Sequence, residues 1–169
     1  MTTPHRPLTA WLTAAGLALA AAGAWAGPTN VPFKASMSTQ ETLGFDAERC
    51  PGTGVVGTTT GKGSASHLGA VTMLATDCPL LIPGVAPTFS NGQLTFTAAN
   101  GDELRASYSG SLTPVPGTAG MFTLSGPFNF TGGTGRFSRA TGSGLLQGSI
   151  LLGPLVSAGQ YQATGTLSY

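Results

Sequence analysis

A glycine-rich turn between two alternating segments is the feature that most limits the folds open to this chain. Large apolar or small residues recur at every second position over residues 122–130, and a similar series follows over residues 146–152. Strict alternation is typical of β-strands with one buried face. The glycines between the two series permit the positive φ angles that a sharp reversal needs. The segment therefore predicts a β-hairpin.

The same alternation recurs after residue 27 and predicts about eight strands. They cover residues 33–37, 55–66, 71–75, 94–98, 104–112, 122–130, 146–152 and 161–169. No stretch shows a helical period, and Asn100-Gly101 is a favoured two-residue turn for a hairpin. Closing such a sheet removes its exposed edges. We therefore predict an all-β antiparallel closed barrel of about eight strands, with a β-sandwich as the alternative.

The first 26 residues have the three regions of a secretory signal peptide. Basic His5 and Arg6 precede an apolar run over residues 8–22, and Ala24-Trp25-Ala26 is a small-x-small cleavage site. The alternative, a transmembrane anchor, would need about 20 apolar residues. We predict cleavage near Ala26, a single barrel domain over residues 27–169, and a secreted or periplasmic location.

The charge balance argues against several classes of partner. After the leader, six Lys and Arg residues balance six Asp and Glu residues. Such a surface lacks the basic patch that attracts nucleic acid or anionic lipid. A single remaining histidine argues against a zinc site. The Gly-x-Gly-x-x-Gly pattern at residues 52–57 is not followed by a helix pattern, so it predicts no dinucleotide site. We expect no metal, cofactor or nucleic acid.

Cys50 and Cys78 are the two cysteines of the chain. An even pair in an exported protein most often forms a structural disulfide. The alternative is a catalytic thiol, but no adjacent Cys or His motif supports it. We predict that the two residues are disulfide-linked.

The turn over residues 130–142, with the pattern Phe-x-Gly-Gly-Thr-Gly-Arg-Phe-x-x-Ala-x-Gly, resembles that of the allene oxide cyclase and dirigent-like barrels. Residues 61–69 and 98–104 are similar to segments of secreted bacterial proteins of this group. The resemblance implies a closed, calycin-like barrel. Family members include isomerases that cyclise an oxidised fatty acid and dirigent proteins that steer radical coupling. The plant members are often trimers. The matching motifs are turns, so the resemblance assigns no active-site residue.

The inward-facing positions of such a barrel predict a site for a small hydrophobic molecule. An eight-stranded barrel either fills with side chains or holds one ligand. Small inward residues leave room for a ligand, whereas phenylalanines occupy the space. We therefore favour a protein that binds this molecule over an enzyme. The resemblance is compatible with a homo-oligomer. The residues that we expect to contact the ligand are Phe96, Ala106, Tyr108, Gly110, Phe122 and Phe128.

Four titratable residues share the phase of the apolar positions and are candidates for catalysis: Glu41, His67, Asp77 and Asp102. Ionisable groups beside an apolar cavity have shifted pKa values and can act in acid–base chemistry. They support a second hypothesis, an isomerase or cyclase that uses a buried acid such as Glu41. The interpretation that we favour places all four at the barrel rims, in contact with solvent.

The C-terminal residues indicate a third class of protein. Leu167 and Tyr169 in one phase are typical of the last strand of a small outer-membrane barrel. The sparse aromatic residues argue against this class, because such barrels carry aromatic girdles at both membrane interfaces.

Overall fold

The computed structural model describes residues 27–169, so the predicted leader lies outside the described residues. Eight antiparallel strands form a closed barrel in which each strand pairs with its neighbours in sequence and the last pairs with the first. The predicted all-β closed barrel is confirmed. Within residues 27–169, no helix is long and apolar enough to cross a bilayer. The strands are β1 (Val31–Phe45), β2 (Val55–Ala65), β3 (Gly69–Leu80), β4 (Thr88–Ala98), β5 (Glu103–Pro114), β6 (Met121–Gly133), β7 (Ser143–Leu151) and β8 (Ser157–Leu167).

The end of the barrel at which β1 begins, the closed end, is sealed by the glycine-rich turn. After β6 the chain forms a short 3-10 turn, Gly135–Phe137, that buries Phe137 completely. The ring of Phe137 lies 4.8 Å from that of Tyr169, between centroids. The Arg136 guanidinium lies over both rings and donates a hydrogen bond to the backbone oxygen of His67. This turn therefore acts as a plug for the closed end.

Packed aromatic rings fill the half of the barrel next to the closed end. Phe33 on β1 lies at their centre, and its ring centroid is 6.0 Å from that of Phe96, 6.2 Å from Phe128 and 4.9 Å from Phe130. Tilted and edge-to-face pairs at these distances contribute about 0.5–1.5 kcal/mol each beyond the burial of their surface. This half of the barrel is therefore a solid core.

A disulfide and a β-bulge shape the opposite end, the open end, at which β1 finishes. Cys50 and Cys78 are bonded, as predicted, and connect the β1–β2 loop to β3. Strand β4 carries an extra residue near Asn91, because Thr76 and Cys78 of β3 pair with residues three apart, Gln93 and Ser90. A bulge of this kind bends its strand and redirects the neighbouring side chains. The disulfide and the bulge both lie next to Asp77 of β3.

Candidate functional site

A cavity of about 80 Å³ occupies the half of the barrel nearer the open end. Because a site of roughly 10–15 Å³ is enough for one water molecule, this cavity has room for part of a small ligand. All eight strands contribute to its wall, which is mostly apolar. The apolar part of the wall includes Met73, Ala75, Leu94, Leu112, Leu124, Leu146 and Ile150.

Exposed apolar side chains surround the mouth of the cavity. Leu43, Leu81 and Leu152 both line the cavity and reach solvent, so the cavity opens at this end. Three of the four loops at this end, residues 81–87, 115–120 and 152–156, contain no charged residue, whereas the β1–β2 loop carries Asp46, Glu48 and Arg49. Clustered apolar exposure of this kind marks a binding surface more often than chance. The exposed apolar residues of this rim are Leu43, Phe45, Leu81, Ile82, Val85, Leu151, Leu152, Leu155 and Val156.

Two carboxyl groups meet on the wall of this apolar cavity. Glu41 on β1 and Asp77 on β3 lie on either side of β2, where Glu41 is opposite Thr59 and Asp77 is opposite Gly57. A β-carbon added at Gly57 would lie 2.7 Å from Oε1 of Glu41 and 2.9 Å from Oδ1 of Asp77. The two oxygens are therefore separated by no more than the sum of these distances. Because Gly57 has no side chain, both carboxyl groups can pack over its backbone.

Asp77 is buried and only partly satisfied. Its side chain is 7% exposed. The Tyr108 hydroxyl donates a hydrogen bond of 2.7 Å to Oδ2, whereas Oδ1 is buried without a hydrogen-bond partner among the described residues. Burial raises the pKa of Asp77, and the Tyr108 hydrogen bond and the charge of Arg49 partly offset that rise. A buried carboxyl oxygen without a donor is costly, and it can accept a hydrogen bond from a ligand.

Glu41 has the pKa expected of a buried acid beside a second acid. Burial and the negative charge of Asp77 raise the pKa of Glu41 from 4.5 to about 7. Burial, together with the two carboxyl groups, also raises the pKa values of Tyr108 and Tyr161 above the usual value for tyrosine. The two hydroxyl groups therefore remain protonated. At neutral pH, the hydroxyl groups of Tyr108 and Tyr161 are uncharged, and Glu41 is protonated in a fraction of the molecules.

Arg49 fixes the β1–β2 loop against the barrel beside Asp77. Its Nη2 donates to the backbone oxygen of Thr76 at 3.0 Å, to the hydroxyl of Thr76 at 2.8 Å and to the backbone oxygen of Asn91 at 2.8 Å. The Asn91 amide in turn donates to the backbone oxygen of Arg49. The backbone of the β4 bulge thus accepts a hydrogen bond from the guanidinium of Arg49. The positive charge of Arg49 lies near Asp77.

The structure brings together two of the four candidate catalytic residues. Glu41 and Asp77 share the cavity wall: Asp77 is buried, so the rim location predicted for it is wrong, whereas Glu41 is half-buried between the core and the exposed rim. That prediction underestimated how far β1 and β3 extend toward the open end. His67 and Asp102 do lie at a rim, beside the closed end. The Nε2 of His67 lies 3.0 Å from a backbone oxygen of β1, and Asp102 lies in the turn between β4 and β5.

The six residues predicted to contact a ligand divide between the two halves of the barrel. Tyr108 lies on the cavity wall. The ring of Phe89 covers Gly110, because a β-carbon there would lie 2.5 Å from the Phe89 Cζ. Phe122 is half-buried near the open end, outside the cavity wall. The remaining three are buried in the packed core and do not line the cavity: Phe96, Ala106 and Phe128.

The apolar residues of the cavity wall were not among the predicted site residues, nor were three residues around the carboxyl pair. Tyr161 shares the inward phase of β8, and that phase was the signal that could have identified it. Gly57 has no side chain, so a search of the sequence for functional side chains does not identify it. Arg49 lies in a loop, where no periodicity indicates direction. Among residues 27–169, no three His, Cys, Asp or Glu side chains form a group suited to a metal ion.

Comparison of the chain with protein-family models, curated proteins and solved structures finds no match. The cavity, its carboxyl pair and its apolar rim are therefore the basis for a function.

Proposed function

We propose that the protein, after export, binds a small hydrophobic molecule in the open half of its barrel. The observation that carries this proposal is the continuity between the apolar cavity wall and the apolar rim beside the three uncharged loops. A ligand can pass from solvent to the cavity along this surface without crossing a charged loop. Each methylene group that it buries contributes about 0.8 kcal/mol to binding.

The disulfide supports the location in this proposal. A Cys50–Cys78 bond that links a loop to a strand fits an oxidising compartment. The signal-like pattern of the first 26 residues would direct the chain there. We therefore place the ligand outside the cytoplasm.

Titration with a neutral fluorescent probe tests the proposal. N-phenyl-1-naphthylamine should bind the wild-type protein with enhanced fluorescence. Ala75 lies on the cavity wall, so Ala75→Leu should fill part of the cavity and weaken probe binding at least tenfold. Ala70→Leu is the matched control, because Ala70 lies on the same strand but is exposed. Its probe affinity should equal that of the wild type.

Two results would contradict the proposal. A wild-type protein that binds no probe would show that the cavity is not a ligand site. Equal probe affinity for Ala75→Leu and the wild type would place the probe on the outer surface instead. Circular dichroism of each variant establishes that the barrel remains folded.

A second candidate function is an isomerase, and the carboxyl pair is the observation that favours it. A group whose pKa is about 7, as for Glu41, exchanges protons efficiently at neutral pH. The resemblance to allene oxide cyclases suggests an oxidised fatty acid as the substrate. Incubation of wild type and Glu41→Gln with such substrates, followed by product analysis, tests this function. Conversion by the wild type and none by the variant would support catalysis.

A further inference from the structure

We propose that the ligand of this cavity is a cationic amphiphile: a protonated amine on an apolar chain, with the ammonium group between Glu41 and Asp77. The apolar chain then extends toward the open end. This inference rests on the proposed function, and it adds the chemical class of the ligand.

The short distance between the two carboxyl groups allows one ammonium group to contact both. Oε1 of Glu41 and Oδ1 of Asp77 lie close together over the backbone of Gly57, and both residues line the cavity. Oδ1 is buried and has no hydrogen-bond partner among the described residues. A donor from the cavity can therefore satisfy an oxygen that the protein leaves unsatisfied.

An ammonium group suits this space better than the head group of an alcohol or a fatty acid. It offers three N–H donors and a positive charge. A hydroxyl group offers one donor and leaves the repulsion between the two carboxyl groups in place. A carboxylate would bring a third negative charge into an apolar cavity, where like charges are strongly unfavourable. The carboxyl pair thus selects for a cation.

The order of residues along the strands gives the direction of the apolar chain. Glu41 and Asp77 each lie two residues deeper in the barrel than Leu43 and Pro79, which also line the cavity. Beyond them, the wall continues to the exposed rim at Leu81. A ligand with its ammonium group at the carboxyl pair therefore places its chain against apolar residues that lead to solvent.

The groups around Glu41 make proton release a signature of this binding mode. Asp77, Tyr108 and Tyr161 face Glu41, and the charge of Arg49 lies near Asp77. Both tyrosines remain protonated at the pH values used. A cation beside Glu41 favours its ionised form. Binding should therefore release a proton near pH 6, where Glu41 is largely protonated, and much less near pH 8.5.

Isothermal titration calorimetry with three octyl compounds tests the inference. Octylammonium, octan-1-ol and octanoate carry the same chain, so they differ only in the head group. At pH 7 we expect octylammonium to bind at least tenfold more tightly than either of the others. Titration at pH 6 in two buffers of different ionisation enthalpy should show the release of close to one proton per octylammonium bound.

Variants of the carboxyl pair identify the binding site of the head group. Asp77→Asn and Glu41→Gln should each reduce the preference for octylammonium over octan-1-ol at least tenfold. Octan-1-ol itself should bind both variants about as well as the wild type, which shows that the cavity is intact. Glu48→Gln is the control, because Glu48 is exposed in the β1–β2 loop and the substitution likewise removes one carboxyl group.

The outcomes separate the two proposals. If no octyl compound and no naphthylamine probe binds, the proposed function itself fails. If octan-1-ol or octanoate binds as tightly as octylammonium, the cavity binds apolar molecules but the inference about the ligand class is wrong. The inference is also wrong if Glu48→Gln reduces the preference as much as Asp77→Asn does, since surface charge alone would then explain it.

Discussion

Replacing Glu41 by glutamine should stabilise the protein above neutral pH and leave it unchanged in acid. Glutamine has nearly the same shape but does not ionise. In the folded protein the pKa of Glu41 is about 7, against 4.5 for an unperturbed glutamate. The unfolded chain therefore ionises Glu41 at a lower pH than the folded chain does. This difference makes the folded state less stable as the pH rises.

The pKa difference sets both the pH window and the magnitude. Below pH 4.5, Glu41 is protonated in both states and costs nothing. Between pH 4.5 and about 7, ionisation of Glu41 progressively stabilises the unfolded state relative to the folded state. Above about pH 7 the loss of folding free energy is constant. At about 1.4 kcal/mol per pH unit, the full loss is about 3 kcal/mol. For a barrel of this size it corresponds to a melting temperature lower by on the order of 10 °C.

Thermal and urea unfolding measure this difference. Wild type and Glu41→Gln are compared from pH 4.5 to pH 8.5 with the disulfide intact. The two proteins should be equally stable near pH 4.5, and the variant should be more stable by about 3 kcal/mol at pH 8.5. Glu48→Gln should follow the wild type throughout, because Glu48 is exposed. A stability difference that does not change with pH, or a variant that is less stable at pH 8.5, would refute the burial of Glu41 as an acid.

Two further predictions concern the supports of the site. Tyr108→Phe removes the hydrogen bond to Oδ2 of Asp77 and should lower the unfolding free energy by about 1–3 kcal/mol at pH 8. In urea unfolding near pH 4 the loss should be smaller, because Asp77 then takes up a proton; an equal loss at both pH values would show that only packing was lost. Replacing Cys50 and Cys78 by serine opens a loop with a sequence separation of 28 and should cost about 3.5 kcal/mol. Probe binding should also weaken, since Arg49 is next to Cys50, and unchanged melting would contradict this role.

The strands could be predicted because their inward residues alternate strictly. The predicted strand over residues 122–130 lies inside β6, Met121–Gly133, and the Asn100-Gly101 turn joins β4 to β5. The bulge in β4 was not predicted, although the sequence carries a sign of it. The inward positions change from odd at Phe89 to even at Leu94, and only an extra residue near Asn91 can restore the phase.

The location of the carboxyl pair could not be predicted because depth in a barrel depends on strand length. The alternation near the N-terminus predicts a strand over residues 33–37, which would place Glu41 beyond its end. In the structure β1 continues to Phe45, so Glu41 lies inside. Its proximity to Asp77 also depends on the register of β1, β2 and β3, with Gly57 between them. No local pattern in the sequence sets that register.

The unfavourable features of this barrel lie together, and that is the physical reason to place a function at the open end. The closed half buries packed aromatic rings and a sealed turn, which stabilise the fold. The open half contains the cavity, a buried oxygen of Asp77 that has no donor among residues 27–169, and Glu41 with a raised pKa. Each of these features costs folding free energy. One ligand with an apolar chain and a hydrogen-bond donor would reverse all three costs, because a single cavity contains them.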